Sequence, residues 1–185
     1  MLLQVVLTST RPGRACLPIG NWFFAQAQAH GKFQVELVDL AAINLPPLDE
    51  PKHPRLRQYE HAHTKAWSAQ VERADAFVFV TPEYNFASPP ALLNALDFLV
   101  HEWAYKPAAF VSYGGVSAGT RSVQMSKQVL STLKMVPLTE AVNVPFFSKH
   151  LKDGRFEPEP ASEQAATAML DELFKWAGAL KPLRS

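Results

Sequence analysis

The side chains best suited to chemistry fall in three short stretches. The first, Thr8-Ser9-Thr10-Arg11-Pro12-Gly13-Arg14-Ala15-Cys16, places hydroxyls and two guanidinium groups just ahead of a helical pattern. Hydroxyls, arginines and the free N–H groups of a helix N-terminus make a cradle for a dianion. The stretch lacks both G-x-G-x-x-G and G-x-x-x-x-G-K-[ST]. A single terminal phosphate therefore fits it better than a dinucleotide pyrophosphate or a nucleoside triphosphate with magnesium. The second stretch, Thr81-Pro82-Glu83-Tyr84-Asn85, ends the apolar run Phe77-Val78-Phe79-Val80 with a carboxylate, a phenol and an amide. The third, Tyr113-Gly114-Gly115-Val116-Ser117-Ala118-Gly119, allows close backbone approach, and the aromatic at its edge suits a flat ligand. Taken singly, each is also consistent with an ordinary capped or flexible turn.

What joins them is the order of the elements around them. Leu2 to Leu7 is a nearly continuous apolar run, as a strand covered on both faces requires. Residues 17–30 turn helical, with Ile19, Trp22, Phe23 and Ala27 near 3.6 spacing and Gly31 placed to end the helix. An alternating strand follows at 33–40, a Pro-rich polar loop at 44–54, a weaker helix at about 55–73 and a strand at 76–80. Ser88 is expected to cap the next helix, with Leu92, Leu93, Leu96 and Leu99 as its buried stripe. Then come a strand at 108–112, a helix near 121–134, a strand at 137–144, a turn-rich loop at 154–160, and a last helix capped by Ser162. Five βα units imply an α/β three-layer sandwich around a five-stranded parallel sheet in the order 2-1-3-4-5, one domain over residues 1–185. In that order strands 1 and 3 are neighbours at the switch point, so loops 8–18 and 81–88 open on one crevice, with 113–119 beside it.

Composition narrows the classes. Hydrophobic residues are 48% of the chain, enough for a substantial core. Lys+Arg 18 against Asp+Glu 17 argues against a bulk electrostatic grip on nucleic acid or anionic lipid. A lone cysteine, Cys16, cannot close an intrachain disulfide and points to a reducing, cytoplasmic setting. No apolar stretch reaches the length of a membrane span.

The residues also carry a resemblance. Ser9-x-Arg11, then Pro82-Glu83-Tyr84-Asn85 with Ala91-Leu92-x-Asn94-Ala95-Leu96-Asp97, then Tyr113-Gly114-Gly115, resemble the NADPH-dependent FMN reductase family over about residues 1–145. That flavodoxin-like group includes quinone, azo and chromate reductases. The resemblance implies noncovalent FMN, reduced by NADPH or NADH at N5, with two electrons passed to a quinone, azo, metal-ion or free-flavin acceptor. It places the phosphate against Ser9, Arg11 and residues 16–19 (Cys16, Leu17, Pro18, Ile19), with Arg14 as a further contact. It lays the ring along Pro82, Glu83, Tyr84 and Asn85, with Tyr113, Gly114, Gly115 and Ser117 at the other edge. It also implies a homodimer or dimer of dimers, with a neighbour's residues over the flavin. Thr8, where the family often has Gly, and Leu17-Pro18 depart from its pattern. A ring carrying carbonyls and N5 needs main-chain donors in a fixed line, which accounts for a polar turn pinned between a buried strand and a Pro-started helix.

Two other classes fit parts of the sequence. A flavin-binding sensor or electron carrier needs the same cradle without turnover. Gly115-Val116-Ser117-Ala118-Gly119 matches G-x-S-x-G between a strand and a helix, with Glu140 and His150 following in the order of a serine hydrolase. Tyr113-Gly114 intervenes before it, where a nucleophile elbow turns directly off the strand. His61-x-His63 is expected to direct its rings to different sides of a helix, and Cys16 reads as a packing residue beside the cofactor. Trp22, Phe23 and Phe24 read as core, whereas Phe98, Trp103 and Tyr105 read as a candidate interface.

Overall fold

The computed structural model describes residues 1–184. Its strands form where the apolar runs lie. In chain order the main elements are β1 (Leu2–Leu7), α1 (Cys16–His30), β2 (Gln34–Asp39), α2 (Leu40–Ile43), α3 (Ala62–Glu72) and β3 (Ala76–Pro82), then α4 (Pro90–Asp97), β4 (Pro107–Tyr113), α5 (Thr120–Thr132) and β5 (Val136–Val144), and finally the short pair β6 (Leu151–Lys152) and β7 (Arg155–Phe156) before α6 (Pro160–Leu180). The five long strands pair in parallel in the order β2-β1-β3-β4-β5. This is the flavodoxin-like order expected from the sequence.

Strand pleating divides the core in two. Along β3, Ala76, Val78 and Val80 face the layer of α1 and α6, while Phe77 and Phe79 face Trp67 of α3, Leu92 and Leu96 of α4, and Val123 and Leu130 of α5. Every residue of β3 and β4 is buried, as strands covered on both faces must be. The indole N–H groups of Trp67 and Trp103 donate to the carbonyls of Ala95 and Leu96 at 2.9 and 3.2 Å, so these rings bury no unpaired donor. Phe98 and Trp103 are core residues at 0% and 1% exposure, which removes them from the interface expected of them.

Several local expectations fail for identifiable reasons. Ser88 does not cap α4: Pro89 holds the cap position, and the Ser88 hydroxyl instead donates to the Ser122 carbonyl and pairs with Ser126 at 2.5 Å. The last helix starts at Pro160 with Glu159 at its cap, two residues ahead of Ser162. Residues 151–156, near the expected loop, form the β6–β7 hairpin about Asp153-Gly154, both at positive φ. His61 sits at the cap of α3 rather than within it, so its ring stacks on that of His63, centroids 5.2 Å apart. No helix among the described residues is long and apolar enough to cross a membrane.

Candidate functional site

The loops after β1, β3 and β4 meet at the carboxyl end of the sheet, as the strand order demands. They enclose a cleft of about 380 Å³, walled by Ser9, Arg11 and Arg14 from the first loop, Pro82, Glu83 and Tyr84 from the second, and Tyr113, Gly114 and Gly115 from the third. Phe147 and Leu151, from beyond β5, complete the wall. Sequence reasoning missed both, because nothing in a segment after the last strand signals that it folds back. The link is backbone: the N–H groups of Phe146 and Phe147 donate to the carbonyls of Gly115 and Gly114 at 3.1 and 3.2 Å.

The first loop is fixed to β3 before it reaches α1. Thr8 is fully buried, and both its N–H and its hydroxyl donate to the Val80 carbonyl, at 3.1 and 3.0 Å. The Cys16 thiol donates to the same oxygen at 3.2 Å. Thr8 thus fastens the loop through its side chain. Ser9 is also fully buried, with its hydroxyl 2.6 Å from the Tyr84 hydroxyl, so the first and second loops are joined across the cleft. Arg14 pairs with Asp39 at the end of β2, and Asp39 in turn caps α2 by accepting from the Ala41 N–H at 3.0 Å. Arg11 is exposed at the cleft edge.

The second loop is a tight hairpin. Tyr84 and Ala87 exchange backbone hydrogen bonds of 3.0 and 2.9 Å, and Asn85 and Phe86 between them both have positive φ, 49° and 70°. Glu83 reaches the third loop: it accepts from the Ser117 hydroxyl at 3.0 Å and from Arg121 Nε at 2.6 Å. Burial alone would push its carboxyl up, but the hydrogen bonds from Arg121 and Ser117 and the Arg121 charge outweigh that and hold it below the usual carboxylate range. Burial pushes the Tyr113 phenol up, with the neighbouring Cys16 adding to the effect, so the phenol stays protonated. In the third loop Gly119 has φ 80°, and a Cβ there would stand 2.8 Å from the Tyr113 carbonyl oxygen.

The sequence candidates separate into groups. Ser9, Arg11, Arg14, Pro82, Glu83, Tyr84, Tyr113, Gly114 and Gly115 line the cleft together. Cys16, Leu17, Pro18 and Ile19 do not line the cleft: Cys16 and Ile19 lie at 0% exposure in the core, Leu17 is 43% exposed, and Pro18 has no N–H. Asn85 is exposed in the hairpin, and Ser117 is engaged by Glu83 and Arg121. A hydrolase triad is not assembled, since the nearest acid to His150 is Glu159 at 3.7 Å and the Ser117 hydroxyl is bound to a carboxylate.

Two features of this cleft suit a phosphorylated flat ring. At one end, α1 begins without a side-chain cap or an acidic residue in its first turn, and the buried Nε of Arg14 has no partner. Uncapped N–H groups and an orphaned guanidinium donor are what an anion satisfies. At the other end, a Cβ on Gly115 would meet nothing within 4 Å, and the N–H groups of Glu83 and Gly115 have no partner among the described residues. Open space beside unused donors is what the edge of a heteroaromatic ring requires.

Comparison with known proteins agrees with this geometry. The family described as NADPH-dependent FMN reductase matches residues 1–149. An NAD(P)H-dependent FMN reductase of Schizosaccharomyces pombe is 41% identical over 147 residues, covering 77% of this chain and 73% of that one. One from Saccharomyces cerevisiae is 34% identical over 146 residues, covering 73% and 76%. Among solved structures, the flavoenzyme NAD(P)H:(acceptor) oxidoreductase FerB of Paracoccus denitrificans superposes with a TM-score of 0.71 at 19% identity, covering 96% and 97% of the two chains, a likeness of fold.

Proposed function

The chain belongs to the NADPH-dependent FMN reductase family, and from that premise we propose that it is an FMN-dependent NAD(P)H oxidoreductase acting on small-molecule acceptors. With this reading goes a cytoplasmic homodimer or dimer of dimers, the assembly the resemblance implies. The observation that carries the proposal is the pairing, on one rim, of an uncapped helix start beside an orphaned Arg14 Nε with a glycine-backed wall of unused N–H donors. Bound there, FMN would supply the redox chemistry, two-electron transfer from NADPH or NADH to a quinone, azo, metal-ion or free-flavin acceptor.

The chain's own residues bind and orient. Arg14, Ser9, Arg11 and the first-turn N–H groups of α1 hold the phosphate. Asp39 keeps the Arg14 guanidinium in place without consuming Nε. The main chain of Glu83 and Gly115 donates to the ring edge, where partial positive charge favours an electron-rich ring. Tyr84, held by Ser9, and Tyr113, held beside Cys16, shape the pocket; the phenol of Tyr113 keeps its proton. No side-chain triad is needed.

The test is the visible spectrum of the purified protein, followed by anaerobic NADPH or, separately, NADH, and then a quinone. Yellow protein that bleaches and recovers with the quinone is expected. Yellow protein indifferent to both nucleotides makes it a sensor or carrier, and colourless protein that ignores added FMN overturns the reading.

A further inference from the structure

Phe86 is anomalous in three independent ways. It sits at the second central position of the Tyr84–Ala87 turn with φ 70°, a left-handed setting where glycine is favoured and a bulky side chain is strained. It is 66% exposed, beside a cleft whose own aromatic residues, Tyr84, Tyr113 and Phe147, are buried or half-buried. A cation covers one face of its ring: the Arg121 guanidinium carbon lies 3.6 Å from the ring centroid, and no other aromatic ring among the described residues stacks on it. Arg121 is itself held by Glu83 and Ser117, so the ring rests on a fixed support. A residue selected for the turn alone would be glycine or asparagine. A strained, rigidly backed and outward-facing ring points to contact with something outside the fold.

The position of the ring limits what that is. Phe86 does not line the cleft; it stands at the tip of the hairpin whose base, Glu83 and Tyr84, does. A substrate reacting inside the cleft reaches Phe86 only if it is long and carries a second flat group. A single-ring quinone or a metal ion has no second flat group to offer it. A nicotinamide dinucleotide, with two ring systems joined through a pyrophosphate, has one. We infer that Phe86, backed by Arg121, is a specificity-determining residue that stacks the adenine of the reduced pyridine nucleotide while the nicotinamide occupies the cleft. This rests on the oxidoreductase reading above.

The test compares NADPH with reduced nicotinamide mononucleotide, which has the same reacting ring but no adenosine, at saturating quinone, and then varies the quinone at saturating NADPH. Phe86→Leu keeps an apolar side chain on the same backbone and removes the flat ring; Phe86→Trp keeps a ring. In Phe86→Leu the ratio of kcat/KM for NADPH over the mononucleotide is expected to fall about three- to tenfold, the range one aromatic stack supplies. The change should appear in the NADPH KM, and Phe86→Trp should restore the ratio. FMN titration and size-exclusion chromatography on each variant show whether the cofactor site and the assembly survive. An unchanged ratio overturns the inference. So does a loss shared equally by the two nucleotides, a shift confined to the quinone KM, which would give the ring to the acceptor, or dissociation of an oligomer, which would make Phe86 an interface residue. Failure of the oxidoreductase reading is seen separately, as an unmutated protein that binds FMN and oxidises neither nucleotide.

Discussion

At the scale of single residues, the most informative group is the Glu83 carboxylate. Its side chain is 7% exposed and its partner Arg121 is 41% exposed, so the pair lies between a surface ion pair of little value and a buried one with a heavy desolvation cost. What decides the balance is the number of donors: the Ser117 hydroxyl, the Arg121 N–H at 3.3 Å and the Arg121 side chain all converge on it. Glu83→Gln keeps one acceptor and loses the charge, and is expected to cost about 1 kcal/mol in chemical denaturation. The sign of its pH dependence follows from a folded-state pKa held below the unfolded value. The stabilisation is complete above the ordinary carboxylate pKa and is lost as pH falls through the lowered folded one. Acid unfolding curves of parent and variant should therefore converge at low pH and stand apart at neutral pH. Glu83 and Arg121 are 38 positions apart, as Arg14 and Asp39 are 25 apart, so neither pairing is visible in one sequence.

At the scale of elements, the site depends on how loops are anchored. Gly119 closes the third loop with φ 80°, and its missing Cβ leaves room for the Tyr113 N and O atoms, which a substituent would meet at 2.9 and 2.8 Å. Both are backbone atoms inside the sheet and cannot step aside. Gly119→Ala is expected to cost about 2–3 kcal/mol, lowering Tm by about 4–12 °C for a chain of this size, and to weaken FMN binding in a fluorescence titration. The strands and their order were legible because residues 2–7, 76–80 and 108–112 are apolar runs separated by helical periods, and strand order then followed from regular alternation. The loops of the site were legible for the same reason: topology brings the ends of β1, β3 and β4 together. Caps and short elements were not. Ser88 carries the right side chain for a cap, yet a buried hydroxyl on α5 competes for it. The β6–β7 hairpin carried its signal in Asp153-Gly154, but its strands are two residues long, too short for a period to show. Phe147 and Leu151 reach the cleft through backbone pairing, which side-chain patterning does not encode.

At the scale of the whole molecule, a cofactor that spans three loops should couple to global stability, because the loops it joins grow from adjacent central strands. With FMN at about a hundredfold its Kd, linkage gives about 2.7 kcal/mol. That corresponds to a rise in Tm of about 5–11 °C, readable by differential scanning fluorimetry with an extrinsic reporter or by circular dichroism; no rise at saturating FMN would refute the cleft as its site. The same architecture has a consequence for chemical durability. Cys16, the sole cysteine, lies at 0% exposure in the first turn of α1, its thiol spent on the Val80 carbonyl and its pKa pushed up by burial. Oxidants and alkylating agents attack exposed thiolate, and the folded chain offers none. Iodoacetamide should leave the native mass unchanged and add one adduct only in denaturant. A catalyst that works beside electron acceptors would then carry its single thiol where oxidising acceptor and electrophilic product cannot reach it, and would lose that thiol to chemistry only after unfolding.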